Sequence, residues 1–264
     1  MASITATPAT TTAMGTATTT RTRMIDLFRL LTWLSPAYPV GGFSYSHGLE
    51  MAVEEAAVTT PAALQSYIET VLLAGAGRVD AALLVAAWRA AGGAPDLQEM
   101  VGSSPTMTVT GSGSALDEVV ELAAAWRGTA ETALESTQQG GSFASITATA
   151  WPEPRFAAFA ARHRGRLTHA VAFGAAAAMQ GIALRPALIG WLSGFAANLV
   201  SAGVRLVPLG QTDGQRVTAA LWPTIEAAAD AAEAADLDRL GTASPMLDQF
   251  SLRHETQYTR LFRS

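Results

Sequence analysis

Two residues near the start of a helical pattern have the types and the spacing that could do chemistry. His47 and Glu50 are three residues apart, so a helix would place both side chains on one face. An imidazole and a carboxylate in that arrangement could hold a metal ion, but at a helix start they also satisfy backbone groups or pair with arginine. The other histidines, His163, His169 and His254, are scattered along the chain, and the acidic residues are scattered over the predicted helices, where we expect them to form solvated faces. We therefore expect no metal site of the chain's own, with His47 and Glu50 as the candidate pair if one exists.

Whole classes of chemistry are excluded by missing residue types. The chain has no cysteine, which excludes disulfides, a thiolate nucleophile and a thiolate metal site. All 17 basic residues are arginine, so no lysine is present for a P-loop or a Schiff base. Neither a Gly-x-Ser-x-Gly elbow nor a Gly-x-Gly-x-x-Gly loop occurs. Because the sequence specifies no reaction, we expect a protein that is not an enzyme and has no cofactor of its own.

The low charge content indicates that part of the surface is buried against another chain. Charged residues make up 15% of the 264 residues, and the mean hydropathy is +0.23. An ordinary globular domain carries roughly 25% charged residues. We therefore expect that part of the apolar surface is buried against another subunit or a partner. The net charge of −5 argues against a nucleic-acid partner, which requires a basic face.

Apolar residues recur at helical spacing through most of the chain, and alternating β-branched runs are scarce. This pattern predicts an all-α fold, a single helical domain of about ten helices. The predicted helices span residues 24–34, 47–57, 61–74, 79–91, 116–139, 154–162, 167–184, 186–204 and 212–240. Residues 102–114 and 140–154 are rich in Gly, Ser, Thr and Pro and are predicted to be loops within the domain.

The two ends of the chain differ in composition from the helical part. Residues 1–23 are an Ala/Thr-rich run without acidic residues, predicted to be a disordered tail. Residues 24–251 form the predicted helical domain. Residues 252–264 lack Gly and Pro and mix arginine with aromatic residues, which predicts a partner-docking arm or, alternatively, a helix folded back on its own domain.

The uncharged run 186–204 has nearly the length of a membrane span. It also contains Trp, Asn and Ser. Gly190 and Gly194 are four residues apart, which favours close helix packing, either in a dimer interface or in a central core helix. We expect a buried helix and no membrane contact.

Three segments are richer in unusual residues than helix connections require. In residues 35–50, Pro36 and Pro39 stiffen the backbone and Gly41–Gly42 permits a sharp turn, so the segment predicts a rigid corner that presents aromatic side chains. Residues 198–215 join two helices, where the helix dipole favours Arg205, but they carry glutamine side chains, at 211 and 215, that a junction does not need. Residues 254–264 form the tail described above. The residues predicted to contact a partner are Gly42, Phe43, Tyr45, Glu50, Arg205, Gln211, Arg253, Tyr258, Arg260, Leu261, Phe262 and Arg263.

Together, residues 35–50, 205–215 and 254–264 resemble the urease accessory protein F family (UreF) in sequence, order and spacing. The resemblance covers residues 24–264. The chain departs from the family pattern in its Thr-rich tail, in the length of 102–114, and at His47, where the family commonly has glutamine.

The resemblance implies an all-helical, dimeric, cytoplasmic chaperone of urease maturation. Such proteins work with a D/H-type accessory protein and a G-type GTPase to deliver nickel to apo-urease, so nickel is handled by the complex. By the same resemblance, the tail and Arg260 help to recruit the GTPase, and the tail becomes ordered when the D/H-type protein binds. The alternative is a GTPase-activating protein that supplies Arg260 or Arg205 to the GTPase, since an inserted guanidinium stabilises phosphoryl transfer.

Overall fold

The computed structural model describes residues 23–93 and 112–264. The predicted disordered tail, apart from Arg23, and most of the predicted loop 102–114 lie outside the described residues. The last three residues of that loop, 112–114, belong to a helix.

The described part of the chain is helical, and no β-strand occurs in it, which confirms the all-α prediction. Its α-helices are α1 (Met24–Trp33), α2 (Leu49–Glu54), α3 (Pro61–Leu73), α4 (Ala76–Ala90), α5 (Ser112–Ala125), α6 (Ala130–Ala150), α7 (Pro154–Arg162), α8 (His169–Met179), α9 (Leu184–Leu206), α10 (Gln211–Ala220), α11 (Trp222–Glu233) and α12 (Pro245–His254). Short 3₁₀ turns lie at Gly42–Ser44 and Leu237–Arg239.

The core is centred on the alanine-rich helix α8, which packs against α4, α6 and α9. The close approach depends on glycine. A Cβ added to Gly174 of α8 would lie 2.4 Å from the carbonyl oxygen of Leu84 on α4. Real Cβ atoms essentially never come that close to a backbone oxygen, so the two helices require glycine here.

Residues 116–154 differ from the prediction of one helix followed by a loop. The helical stretch is broken into α5 and α6, since Thr129 and Thr132 form a reciprocal cap that starts α6. The predicted loop at 140–154 is wrong, because α6 continues to Ala150. Gly140 lies inside this helix, where a Cβ would come within 2.1 Å of the carbonyl oxygen of Leu167. Glycine therefore marks a helix contact here rather than a turn.

The predicted helix 212–240 is also divided. Helix α10 ends at Ala220, and α11 begins at Trp222 with Pro223 in its first turn, where a missing N–H is tolerated. After Glu233 the chain forms a 3₁₀ turn and a strap, whose Ala243 N–H donates to the carbonyl oxygen of Ala74 at 2.8 Å. This strap brings α12 back to α2.

Two helical stretches are long and apolar enough to cross a membrane by length and composition. They are Pro61–Ala90, which joins α3 and α4, and Leu184–Leu206, which is α9. About half or more of each apolar window is buried inside the protein, at 67% and 50%. Core helices of water-soluble proteins pass the same test, so these stretches are weak indications of a span.

Candidate docking face

The corner between α1 and α2 is rigid for local reasons. Gly41 has a positive φ of 74°, a conformation that glycine adopts without strain. The following 3₁₀ turn brings Gly42 against α9, where a Cβ would lie 2.8 Å from Nδ2 of Asn198. The turn directs Phe43 outward, 67% exposed, while Tyr45 is buried.

The second half of the corner starts α2. His47 and Gly48 both have positive φ, and the hydroxyl of Ser46 accepts the Glu50 N–H at 3.3 Å. Ser46 thus supplies part of the cap of this helix. The carbonyl oxygen of His47 accepts the Tyr67 hydroxyl at 2.9 Å, which ties the corner to α3.

The two residues of the candidate metal pair, His47 and Glu50, face different hydrogen-bond partners. His47 Nδ1 lies 3.3 Å from Glu135, whereas the Glu50 carboxylate faces His254. Burial lowers the pKa of His47, but the carboxylate of Glu135 outweighs that effect and the net pKa is raised. Within residues 23–93 and 112–264, no group of three or more His, Asp or Glu side chains could hold a metal ion.

Residues 255–264, which we call the C-terminal segment, fold back from α12 onto the corner. The carbonyl oxygen of Ser264 accepts the N–H and the hydroxyl of Ser46 at 2.6 and 2.7 Å. The Arg263 N–H donates to the carbonyl oxygen of Ser44 at 2.8 Å. The predicted arm is therefore irregular in structure and packed on its own domain, and the predicted boundary before Leu252 falls inside α12.

Glu50 anchors the middle of this segment. Its carboxylate accepts the backbone N–H groups of Leu261 and Phe262 at 2.7 and 3.0 Å. The same carboxylate lies 3.0 Å from Nε2 of His254. Glu50 is buried, so it supports the segment from beneath instead of reaching the surface.

Glu131 is a second buried anchor, on α6. Its carboxylate lies 2.7 Å from Nδ1 of His254 and accepts a bond from Arg260 at 2.8 Å. Burial raises the pKa of Glu131, and the neighbouring His254 and Arg260 partly offset the increase. The two carboxylates thus bracket one histidine ring.

Arg205, from the end of α9, closes the other side of the segment. Its guanidinium stacks on the Phe262 ring, 4.4 Å from the ring centroid, and donates to the carbonyl oxygen of Phe43 at 3.0 Å. Phe262 is buried beneath it. The corner, the C-terminal segment and α9 therefore form one continuous surface.

The outward side of that surface carries aromatic, apolar and arginine side chains, and we call it the docking face. Tyr258 is fully exposed and Leu261 is 74% exposed. The docking face consists of Phe43, Arg205, Tyr258, Arg260, Leu261 and Arg263.

The other predicted contact residues lie elsewhere. Gly42, Tyr45, Glu50 and Phe262 are buried, so they shape the docking face from inside. Arg253 on α12 is occupied by an ion pair with Glu55 at 2.8 Å. Gln211 is exposed at the start of α10, and no described hydrogen bond joins it to the C-terminal segment. Whether any of these residues binds a partner stays a prediction.

The sequence interpretation missed the buried carboxylates. The acidic residues appeared to be solvated, but Asp80, Glu131 and Glu135 are buried. Asp80 pairs with Arg127 at 2.6 Å. Glu135 accepts the Ser264 hydroxyl at 2.8 Å. The available signal was spacing: Glu131, Glu135 and Gln139 are four residues apart and form one polar stripe along a helix of small residues.

Comparison with known proteins identifies the family of the chain. The UreF family model matches residues 58–222. The urease accessory protein UreF of Granulibacter bethesdensis is 54% identical over 248 residues, which cover 94% of this chain and 98% of the relative. The UreF proteins of Bradyrhizobium diazoefficiens and Methylorubrum populi are 45% and 44% identical, over 90% and 91% of this chain and 91% and 100% of the relatives. Both the family match, over more than half of the chain, and the near full-length relatives lead to one conclusion: the chain belongs to the UreF family of urease accessory proteins.

Proposed function

We propose that this protein is a scaffold of urease maturation. With a D/H-type accessory protein it recruits a G-type GTPase, and the assembled complex inserts nickel into apo-urease in the cytoplasm. Membership of the UreF family supports the role in urease maturation. The partners, the nickel delivery and the location are inferred by analogy with that family.

The docking face is the observation that carries the scaffold role. Tyrosine and arginine are the residue types that most often dominate binding energy in protein interfaces. Tyr258 and Leu261 are exposed on a segment whose backbone is bonded to Glu50, so their geometry is set before a partner arrives. A preorganised segment loses less conformational entropy on binding than a free tail does.

A stripe on α1 supports the proposed homodimer. Met24, Leu27, Phe28 and Leu31 recur at helical spacing, and all four are exposed. Exposed apolar stripes of this kind usually mark a surface that another protein covers. Light scattering should therefore give a dimer for the wild type and a monomer for Phe28→Asp, whereas a dimeric variant would exclude this stripe as the interface.

Deletion of 256–264 tests the scaffold role in cells that contain urease and the other accessory proteins. This deletion spares α12, which a cut before Leu252 would disrupt. The deleted protein should stay helical by circular dichroism, lose co-purification of both partners, and fail to support urease activation. A helical deletion variant that still retains both partners would contradict the role of the segment.

The alternative function, GTPase activation by an inserted arginine, is disfavoured by the occupancy of both candidates. Arg260 is bound to Glu131, and Arg205 is bound to Phe43 and Phe262. An arginine finger must leave such contacts to reach a nucleotide. GTP turnover by the G-type partner, measured with and without this protein, separates the two functions: the scaffold predicts no Arg260-dependent stimulation.

A further inference from the structure

A cluster of ionisable groups lies beneath the C-terminal segment. Among the described residues, His254 is the only histidine with a buried carboxylate at each ring nitrogen. His254 is 0% exposed and comes from α12. Glu50 comes from α2 and Glu131 from α6, and both are buried. Arg260 completes the cluster from the C-terminal segment.

The number of hydrogen-bond donors and acceptors around His254 indicates the charge of this cluster. The Glu50 carboxylate accepts two backbone N–H groups, and the Glu131 carboxylate accepts a guanidinium N–H, so both are used as acceptors. Each also lies within hydrogen-bond distance of one ring nitrogen of His254, at 3.0 and 2.7 Å. A neutral imidazole has one N–H and would leave the other nitrogen facing an acceptor. While both carboxylates are ionised, the geometry therefore calls for an imidazolium, which balances two anions with two cations.

We propose that His254 is a proton-dependent latch that positions the C-terminal segment, so that the docking face is assembled only while His254 is protonated. The consequence for partner recruitment rests on the proposed function, but the latch itself does not. Loss of the proton would leave two buried carboxylates with Arg260 as their one remaining cation in the cluster, and the uncompensated charge favours release of the segment.

Other charged groups lie near the cluster, on α2, α6 and α12. His47 and Glu135 lie beneath the end of the segment, at Ser264. Because the pKa of His47 is raised above its usual 6.5, its contribution is present at lower pH and is lost as pH rises through the raised pKa. The remaining charged groups around His254 are Arg253, paired with Glu55, and the exposed Glu255.

Amide hydrogen exchange of the full chain tests the latch without any partner. The Leu261 and Phe262 amides donate to Glu50, so their protection reports docking of the segment. After correction for the intrinsic exchange rate, their protection should fall roughly ten-fold or more between about pH 6 and pH 9, as the segment is released. The amide of Phe173 in the core serves as the internal reference. A flat profile for Leu261 and Phe262 in the wild type would overturn the latch, and this result needs no variant.

Two variants separate the candidate histidines. His254→Gln should show low protection at Leu261 and Phe262 at every pH, while His47→Gln should keep most of the pH dependence. A pH dependence of wild-type size in His254→Gln overturns the assignment to His254. Partner pull-down is a separate readout: a pH-dependent segment together with unchanged partner binding would leave the latch standing and remove the proposed function of the docking face.

Discussion

The core around α8 and the C-terminal segment are held in place by different physical means. Helix α8 approaches its neighbours through missing side chains, as at Gly174 and Gly140, where a Cβ would collide with backbone oxygens. The C-terminal segment is bonded to buried carboxylates, Glu50 and Glu131, and to one arginine stack. The core therefore depends on shape, whereas the docking face depends on charge.

Two histidines, His169 and His254, show the same contrast. His169, at the start of α8, accepts a bond from the Trp191 indole N–H at 3.3 Å, and its Nε2 has no hydrogen-bond partner. Burial lowers its pKa to about 4. His254 has a carboxylate at each nitrogen. Acid should weaken the core at His169, and base should loosen the segment at His254, so each region has its own pH limit.

The largest expected effect is steric and confined to the core. Gly140→Ala should destabilise the protein by roughly 3 kcal/mol, because its Cβ would meet the backbone of Leu167 and α6 must move away from the start of α8. Chemical denaturation measures this change. Gly141→Ala is the matched control: its Cβ meets nothing within 4 Å, so it should be neutral or slightly stabilising. Equal destabilisation of the two variants would show that the steric contact of Gly140 with Leu167 is not the cause.

Acidification should reveal the neutral histidine of the core. As pH falls from 6.5 towards 4, the unfolded chain protonates His169 while the folded chain does not, so the free energy of unfolding decreases. The loss should be on the order of 2 kcal/mol, since the ring is not wholly enclosed. In His169→Gln this part of the pH dependence should vanish. If the variant has the slope of the wild type, other groups control the acid limit.

Removal of the arginine stack should loosen the segment without touching the core. Arg205→Ala loses the contact with the Phe262 ring and the bond to Phe43, and should weaken docking of the segment by about 1 kcal/mol. Hydrogen exchange at Phe262 measures the change, with the amide of Phe173 as the unchanged reference. Arg205→Lys keeps the charge but lacks the planar group, so it should recover only part of the protection.

The smallest expected effect is at the corner, where Gly42 packs against Asn198 of α9. Gly42→Ala places a Cβ 2.8 Å from the amide end of Asn198, which can rotate away, so the free energy of unfolding should fall by less than about 1 kcal/mol. Urease activation should fall more than stability does, because the corner sets the position of Phe43. Gly42→Ala combined with Asn198→Ala should restore both properties. Failure of this rescue would show that the contact with Asn198 is not the cause.

Local sequence signals predicted much of the fold. The helix predicted over 61–74 matches α3, and the Thr60 hydroxyl accepts the Ala63 N–H at 3.1 Å at its start. The corner was predicted as well, with Gly41 in the expected positive-φ conformation. Both features depend on residues that are neighbours in the chain, which is why the sequence alone was sufficient.

The errors arose where distant residues decide the structure. Gly140 suggested a turn, but its role is to let the backbone of Leu167 approach α6 closely. Glu131 and Glu135 resembled a solvated helix face, and they became buried because the C-terminal segment folds over them. Tyr45 and Phe262 were predicted to contact a partner, but they are buried for the same reason. No local pattern shows that a segment more than 100 residues later along the chain will cover a given helix face.

The affinity of the docking face for its partners tests the scaffold role most directly. Tyr258→Ala combined with Leu261→Asp changes only exposed side chains and leaves the bonds to Glu50 intact. Titration calorimetry with the D/H-type protein, and with the G-type GTPase added to that complex, compares this variant with the wild type. Trp222→Ala, an exposed aromatic on α11, is the control. We predict a loss of affinity of at least about ten-fold for the double variant and none for the control, as hot-spot residues require. Equal affinities for the wild type and the double variant would contradict the docking face.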